Sequence, residues 1–140
     1  LFIFAPADDA GGRGGAVAML CDWLEHDPAS PVRRHTAPGE DVDAVIDTRA
    51  IFQQDFRALD FGAMPTLLRP HVGRYGLCDY EKVFCADVKR GEDVFEMRGI
   101  DRAAGCVIVV RPDQYVGNVL PLHARDDLAE YFAAILRVRG

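Results

Sequence analysis

The stretch CVIVVRPDQYVGNVLPL, residues 106–122, decides how this chain is read. Two apolar runs flank a polar knot, Arg111-Pro112-Asp113-Gln114. Pro112 supplies the fixed φ of the second position of a type I turn and Asp113 suits the third, so the runs are predicted to pair as a hairpin. The first run, residues 107–110, is continuously apolar, as expected of an interior strand covered on both faces. In the second, Gly117 and Pro121 predict a bulge and an early end. Arg111 and Asp113 can pair across the turn, but an exposed pair of that kind adds only about 0–1 kcal/mol. The knot reads as a turn, not as chemistry.

Working outward from the hairpin, residues 124–140 form an amphipathic pattern with Leu128, Tyr131, Phe132, Ile135 and Leu136 facing inward. Asp126 and Asp127 fall in its first turn, and Arg137 and Arg139 in its last, as the helix dipole prefers. Upstream, EDVFEMRG predicts a short helix ended by Gly99, and DYEKVFCAD an extended piece. At the other end of the chain, LFIFAP reads as a buried strand closed by Pro6. After the loop ADDAGGRGG, Val17, Leu20, Cys21 and Leu24 recur at helical spacing over residues 16–26, with Pro28 and Pro31 as stops. DAVIDTRAIF predicts a second strand. Between residues 53 and 79, Pro65 and Pro70 break any long helix, leaving short turns over the core.

The resulting order is strand, helix, strand, irregular segment, short helix, hairpin, helix. A βαβ half followed by a ββα half is the arrangement of a thioredoxin-like α/β domain, a mixed sheet flanked by helices, and handed crossovers leave few alternatives. No internal boundary is visible, so residues 1–140 are read as one domain. The chain starts on Leu1 inside a predicted strand, where a natural terminus seldom lies. A piece of a longer polypeptide is therefore expected.

Composition narrows the function. The 140 residues are 49% hydrophobic, enough for a real core. Sixteen basic against 22 acidic residues give a net charge of −6, which argues against a nucleic acid partner. No apolar run reaches the ~20 residues that span a bilayer, and LFIF lacks the features of a secretory leader. Cys21, Cys78, Cys85 and Cys106 are scattered without CxxC, as in a reduced, cytoplasmic protein.

Catalytic readings fare poorly. A reactive thiol of this fold belongs at the start of the first helix, where the dipole lowers its pKa, yet ADDAGGRGGA holds no cysteine. Cys21 lies inside the helix on its apolar face. The proline usual just before the hairpin's first strand is replaced by Ala104 and Gly105. Cys78 and Cys85, with His71 upstream, form no complete zinc set, and they point to opposite sides if residues 77–86 are extended. GGRGGA is not GxGxxG, and Asp8 and Asp9 would repel a phosphate. The single serine, Ser30, lies near Pro28 and beside Pro31, outside any GxSxG.

Taken together, RGIDRAAGCVIVVRPDQYVGNVLPL, LAEYFAAIL, DAVIDTRAIFQQDFRALDFGAMPTLLRP, GLCDYEKVFCAD and the opening LFIFAPADD resemble the C-terminal domain of the phenol 2-monooxygenase (phenol hydroxylase) family of flavoprotein aromatic hydroxylases. The resemblance covers nearly the whole chain. It implies a thioredoxin-like domain that has lost its redox cysteines and serves in dimerisation. It also implies a parent enzyme whose upstream FAD-binding and substrate domains use NADPH and O₂ to hydroxylate a phenolic ring ortho to its hydroxyl. No catalytic, cofactor or metal residue is assigned to this chain, and its expected partners are its own FAD and substrate domains and a second subunit. The predicted contact region is residues 56–80, where Phe56, Phe61, Met64, Tyr75 and Tyr80 lie in irregular backbone. Two competing readings are a stand-alone thioredoxin- or peroxiredoxin-like oxidoreductase using one of the four thiols, and a small protein binding a partner or aromatic ligand.

Overall fold

The structure, a computed structural model, describes residues 1–87, 89, 91 and 93–137. Its centre is a five-stranded mixed sheet built from β1 (Phe2–Phe4), β2 (Arg49–Phe52), β5 (Val83–Cys85), β6 (Cys106–Val110) and β7 (Val116–Leu120). The strand order is β5-β2-β1-β6-β7. β1 and β2 run parallel, β2 and β5 also, whereas β6 is antiparallel to both β1 and β7. The order β2-β1-β6-β7 is the thioredoxin-like core, with β5 added outside β2. A separate two-stranded hairpin pairs β3 (His71–Val72) with β4 (Leu77–Cys78).

One face of the sheet carries the main core. Ile3, Ala50, Phe52, Val107 and Val109 meet helix α1 (Ala16–His26) through Val17, Leu20, Cys21 and Leu24, the side chains the spacing selected. Val32 of α2 (Pro31–His35) and Leu128 and Phe132 of α4 (Arg125–Ile135) complete that side. The opposite face carries a smaller cluster of Phe4, Ile51, Ala86 and Phe95. Phe95 belongs to α3 (Val94–Arg98) and meets Phe4 edge-on, with ring centroids 5.3 Å apart. α3 ends at Gly99, whose left-handed backbone closes it as predicted.

The hairpin forms as read. The Gln114 N–H donates to the Arg111 carbonyl at 2.8 Å, and Gln114 itself takes φ 67°, the left-handed position that follows a type I turn in a three-residue loop. Val109 faces Asn118 while Val110 faces Val116, so Gly117 is the extra residue of the bulge. A Cβ there would come within 2.2 Å of the Tyr131 Oη.

Several boundaries differ from the sequence reading, each for a local reason. Pro31 does not only stop a helix. It opens α2, with the Ser30 side chain accepting from the Arg33 N–H at 3.2 Å. The second strand is only Arg49–Phe52, because the segment ahead of it turns and directs Asp43 and Asp47 onto Lys82. Residues 77–86 are not one extended piece, so Cys78 and Cys85 lie in different sheets. β6 is not covered on both faces: Ile108 and Val110 are only half-buried, since α3 reaches one end of the sheet. Ile135 is 54% exposed, for α4 stops there and Leu136 becomes its cap. Arg137 lies beyond the helix, and Arg139 lies outside the described residues.

Candidate functional site

The start of α1 is where this architecture places reactive chemistry, and here a carboxylate occupies it. Asp9 is buried and accepts hydrogen bonds from the Gly11 and Val17 N–H groups, both at 2.8 Å. The Val17 N–H is one of the free first-turn donors of α1 that would otherwise cradle an anion or lower a thiol's pKa, and the Gly11 bond fixes the carboxylate over it. A dinucleotide pyrophosphate therefore does not fit this helix N-terminus. Cys21 is fully buried, and burial, reinforced by the charges of Glu25 and Asp9, pushes its thiol well above the ordinary range. Burial also raises Cys106 and, with the Asp55 charge, Cys85. Ser30 Oγ donates to the Leu24 carbonyl at 2.6 Å and caps α2, a joint between two helices. Among the described residues, no group of three or more His, Cys, Asp or Glu side chains is arranged to hold a metal ion. Nor, among them, is any helix long and apolar enough to cross a membrane.

A thiol enzyme and this arrangement differ in a simple measurement. Cys21 is expected to resist iodoacetamide at pH 7 in the folded protein and to react fully once urea is added, read by peptide mass spectrometry. Rapid modification of Cys21 in the folded state would favour thiol chemistry.

The predicted contact region is only partly surface. Phe56 is 65%, Tyr80 69% and Tyr75 79% exposed. Phe61 is half-buried, its ring 5.1 Å from that of Tyr80. Met64, at 2% exposure, belongs to the core and not to a contact surface: the short helical turns around it aim its side chain inward. Tyr75 stands apart at the tip of the β3–β4 hairpin. Phe56, Phe61 and Tyr80 line a cleft of about 390 Å³ with Leu59, Met64 and Phe84. Phe84 was missed, because its register on β5, opposite Ile51, is what turns it away from the main core. The exposed carboxylates Asp55, Asp60 and Glu81 lie next to the cleft residues in sequence, while Arg57 sits over the Phe56 ring at 5.5 Å and Arg49 over the Phe84 ring at 6.0 Å, so charges of both signs border this region.

A second apolar surface escaped the sequence reading altogether. Phe2, Ile108 and Val119 form one cross-strand row on the sheet face away from α1 and α4. Val110 and Val116 form the next row, and Val116 and Val119 are 61% and 55% exposed. Only the pairing of β1, β6 and β7 brings these residues together.

Two charged assemblies hold the framework beneath these surfaces. Lys82, 5% exposed, donates from Nζ to Asp43 at 2.7 Å and Asp47 at 2.6 Å, with Asp79 at 3.2 Å. Burial opposes its charge, but the bonds to Asp43 and Asp47 outweigh that and raise its pKa. The buried Asp93 carboxylate caps α3 and receives Arg102 Nη2 at 2.7 Å; that bond is the chief reason its pKa falls below the usual carboxylate value. Gln53 ties the same arginine loop to β1, donating to the Ala5 and Arg102 carbonyls at 2.8 Å each.

Fold and site together define a thioredoxin-like domain with a capping carboxylate where a reactive thiol would stand. The chain belongs to the family described as the phenol hydroxylase C-terminal dimerisation domain, whose model matches residues 1–140. It is 46% identical over 138 residues to the 3-hydroxybenzoate 4-monooxygenase of Comamonas testosteroni, covering 98% of this chain and 22% of that protein. It is 28% identical over 113 residues to the FAD-dependent monooxygenase terD of Aspergillus terreus (strain NIH 2624 / FGSC A1156), covering 79% of this chain and 18% of that protein. The chain thus spans about a fifth of the length of these relatives.

Proposed function

We propose that this chain is a single, non-catalytic assembly domain at the C-terminal end of a cytoplasmic, homodimeric aromatic hydroxylase. The parent holds FAD in its upstream domains, takes electrons from NADPH, and inserts one oxygen of O₂ into a phenolic ring, in the manner of a phenol 2-monooxygenase. The bacterial relative's name extends the substrate class to a hydroxybenzoate. Neither nucleic acid nor membrane is a partner. The observation that carries this reading is the Asp9 cap: the position where the fold does chemistry is filled by an internal carboxylate, inside a family defined by dimerisation. Exposed Phe56 and Tyr80, with Phe61 beneath them and Tyr75 on the hairpin tip, serve as assembly contacts.

The test is deletion of residues 1–140 from the full-length protein. The remainder is expected to stay yellow, with FAD bound, and to sediment as a monomer while the intact protein sediments as a dimer. Loss of flavin together with retention of the dimer would contradict the reading.

A further inference from the structure

The sheet is dressed unequally. One face carries α1, α2 and α4, whereas among the described residues the other carries only the short helix α3 with Ala86 and Ile100 beside it, gathered where Phe95 meets Phe4. Phe2 and Ile108 border that cluster, and from them the row continues to Val119, with the row Val110–Val116 further out. We propose that this open sheet face is the dimer surface, packing against the same face of a second copy about a twofold axis. The inference rests on the proposed assembly function and assigns it a place.

Three observations favour a second copy as the occupant. The first is charge. Each copy carries −6, so most of its surfaces repel their own kind. Beside Phe2 and Val110, however, the charges are already neutralised in pairs, Arg49 with Asp47 at 2.8 Å and Arg111 with Asp113 at 2.6 Å. A copy of the same face meets no charge excess there.

The second is the blunted edge. β7 borders the sheet and could extend it into another copy, but the Gly117 bulge interrupts the edge, and Asn118 Oδ1 accepts the Val119 N–H at 2.9 Å. Edge-to-edge pairing through β7, the edge that adjoins the open rows, is obstructed, which favours the face. The third is symmetry. A twofold interface requires a self-complementary patch, and an apolar, charge-neutral sheet face packed at the ~10 Å spacing of sheet layers meets that need.

The experiment uses the full-length protein, with mass measured by light scattering across a dilution series. Val116→Asp/Val119→Asp is expected to raise the dimer dissociation constant about 100-fold or more, because each copy would bury unpaired carboxylates. Both side chains are exposed in the single chain, so the circular dichroism spectrum is expected to match that of the unmodified protein, while the melting temperature falls only by what the lost association accounts for. The neutral variant Val116→Ser/Val119→Ser is expected to weaken the dimer about tenfold, which separates lost packing from charge-induced misfolding. An unchanged dissociation constant in both variants overturns the inference. If Phe56→Asp/Tyr80→Asp then dissociates the dimer, the assembly function stands and only its location is wrong. A monomeric unmodified protein overturns the assembly function itself.

Discussion

Lys82→Met is expected to lower the unfolding free energy by about 3 kcal/mol, read as a fall in the urea midpoint with an unchanged slope. The lysine head is almost wholly enclosed by Asp43, Asp47 and Asp79, which arrive from two separate segments of the chain. Methionine preserves the stem's volume but removes the cation that Asp43 and Asp79 face, and leaves Asp47 with Arg49 alone, at 2.8 Å. The partners keep some access to water, so the expected loss sits at the lower end of the range for breaking a buried pair. Asp47 and Asp79 should also show it in the pH profile. For Asp47, burial pushes the pKa up, but hydrogen bonds from Lys82 and Arg49 bring it below 3.8; for Asp79, the Glu81 N–H leads and Lys82 adds. A depressed carboxylate contributes stability that is complete above its unfolded pKa and disappears as pH falls through the folded one. The native protein should therefore lose stability steeply below about pH 4, and Lys82→Met should lose less over the same interval. A variant whose acid limb runs parallel to the native one would show that the cage contributes little.

Gly105→Ala is expected to destabilise by about 3 kcal/mol, through backbone rather than side-chain chemistry. Gly105 precedes β6 with φ 62°, in the left-handed region that costs an L-residue about 1–2 kcal/mol. A Cβ there would also stand 2.2 Å from the Phe4 carbonyl oxygen and 3.0 Å from the Pro6 nitrogen. Neither neighbour is a flexible side chain that could swing away. Relief would require β1 and β6 to separate where Phe4 faces Cys106, at the centre of the sheet. Thermal unfolding monitored by circular dichroism should show a midpoint lower by about 10 °C or more. A drop of only 1–2 °C would mean that the strands tolerate the separation.

These two positions also mark what could and could not be read in advance. Gly105 was visible as a departure from the proline expected there, yet the close approach that demands glycine exists only once β1 lies beside β6. Lys82 looked like one charge within an extended piece. Its partners are 35 to 39 residues upstream and three residues upstream, and no periodic pattern links them. Asp9 was read as hostile to phosphate, but its role as the internal cap of α1 depended on the glycine loop folding back over the helix start.

Local chemistry, then, was enough for the elements whose causes are local. The i, i+3, i+4, i+7 stripe of α1, the type I turn at Pro112 and Asp113, the bulge at Gly117 and the stop at Gly99 each arise from interactions within a few residues. The sequence by itself therefore determined the thioredoxin-like order of elements and the absence of a thiol at the head of the first helix. Tertiary structure alone decided which apolar residues remain outside. Met64, expected at the surface, went into the core, Phe84 turned outward, and Phe2, Ile108 and Val119 became one surface only through strand register. Burial depends on which elements lie above a residue, and α3 is too short to cover the face on which that surface lies.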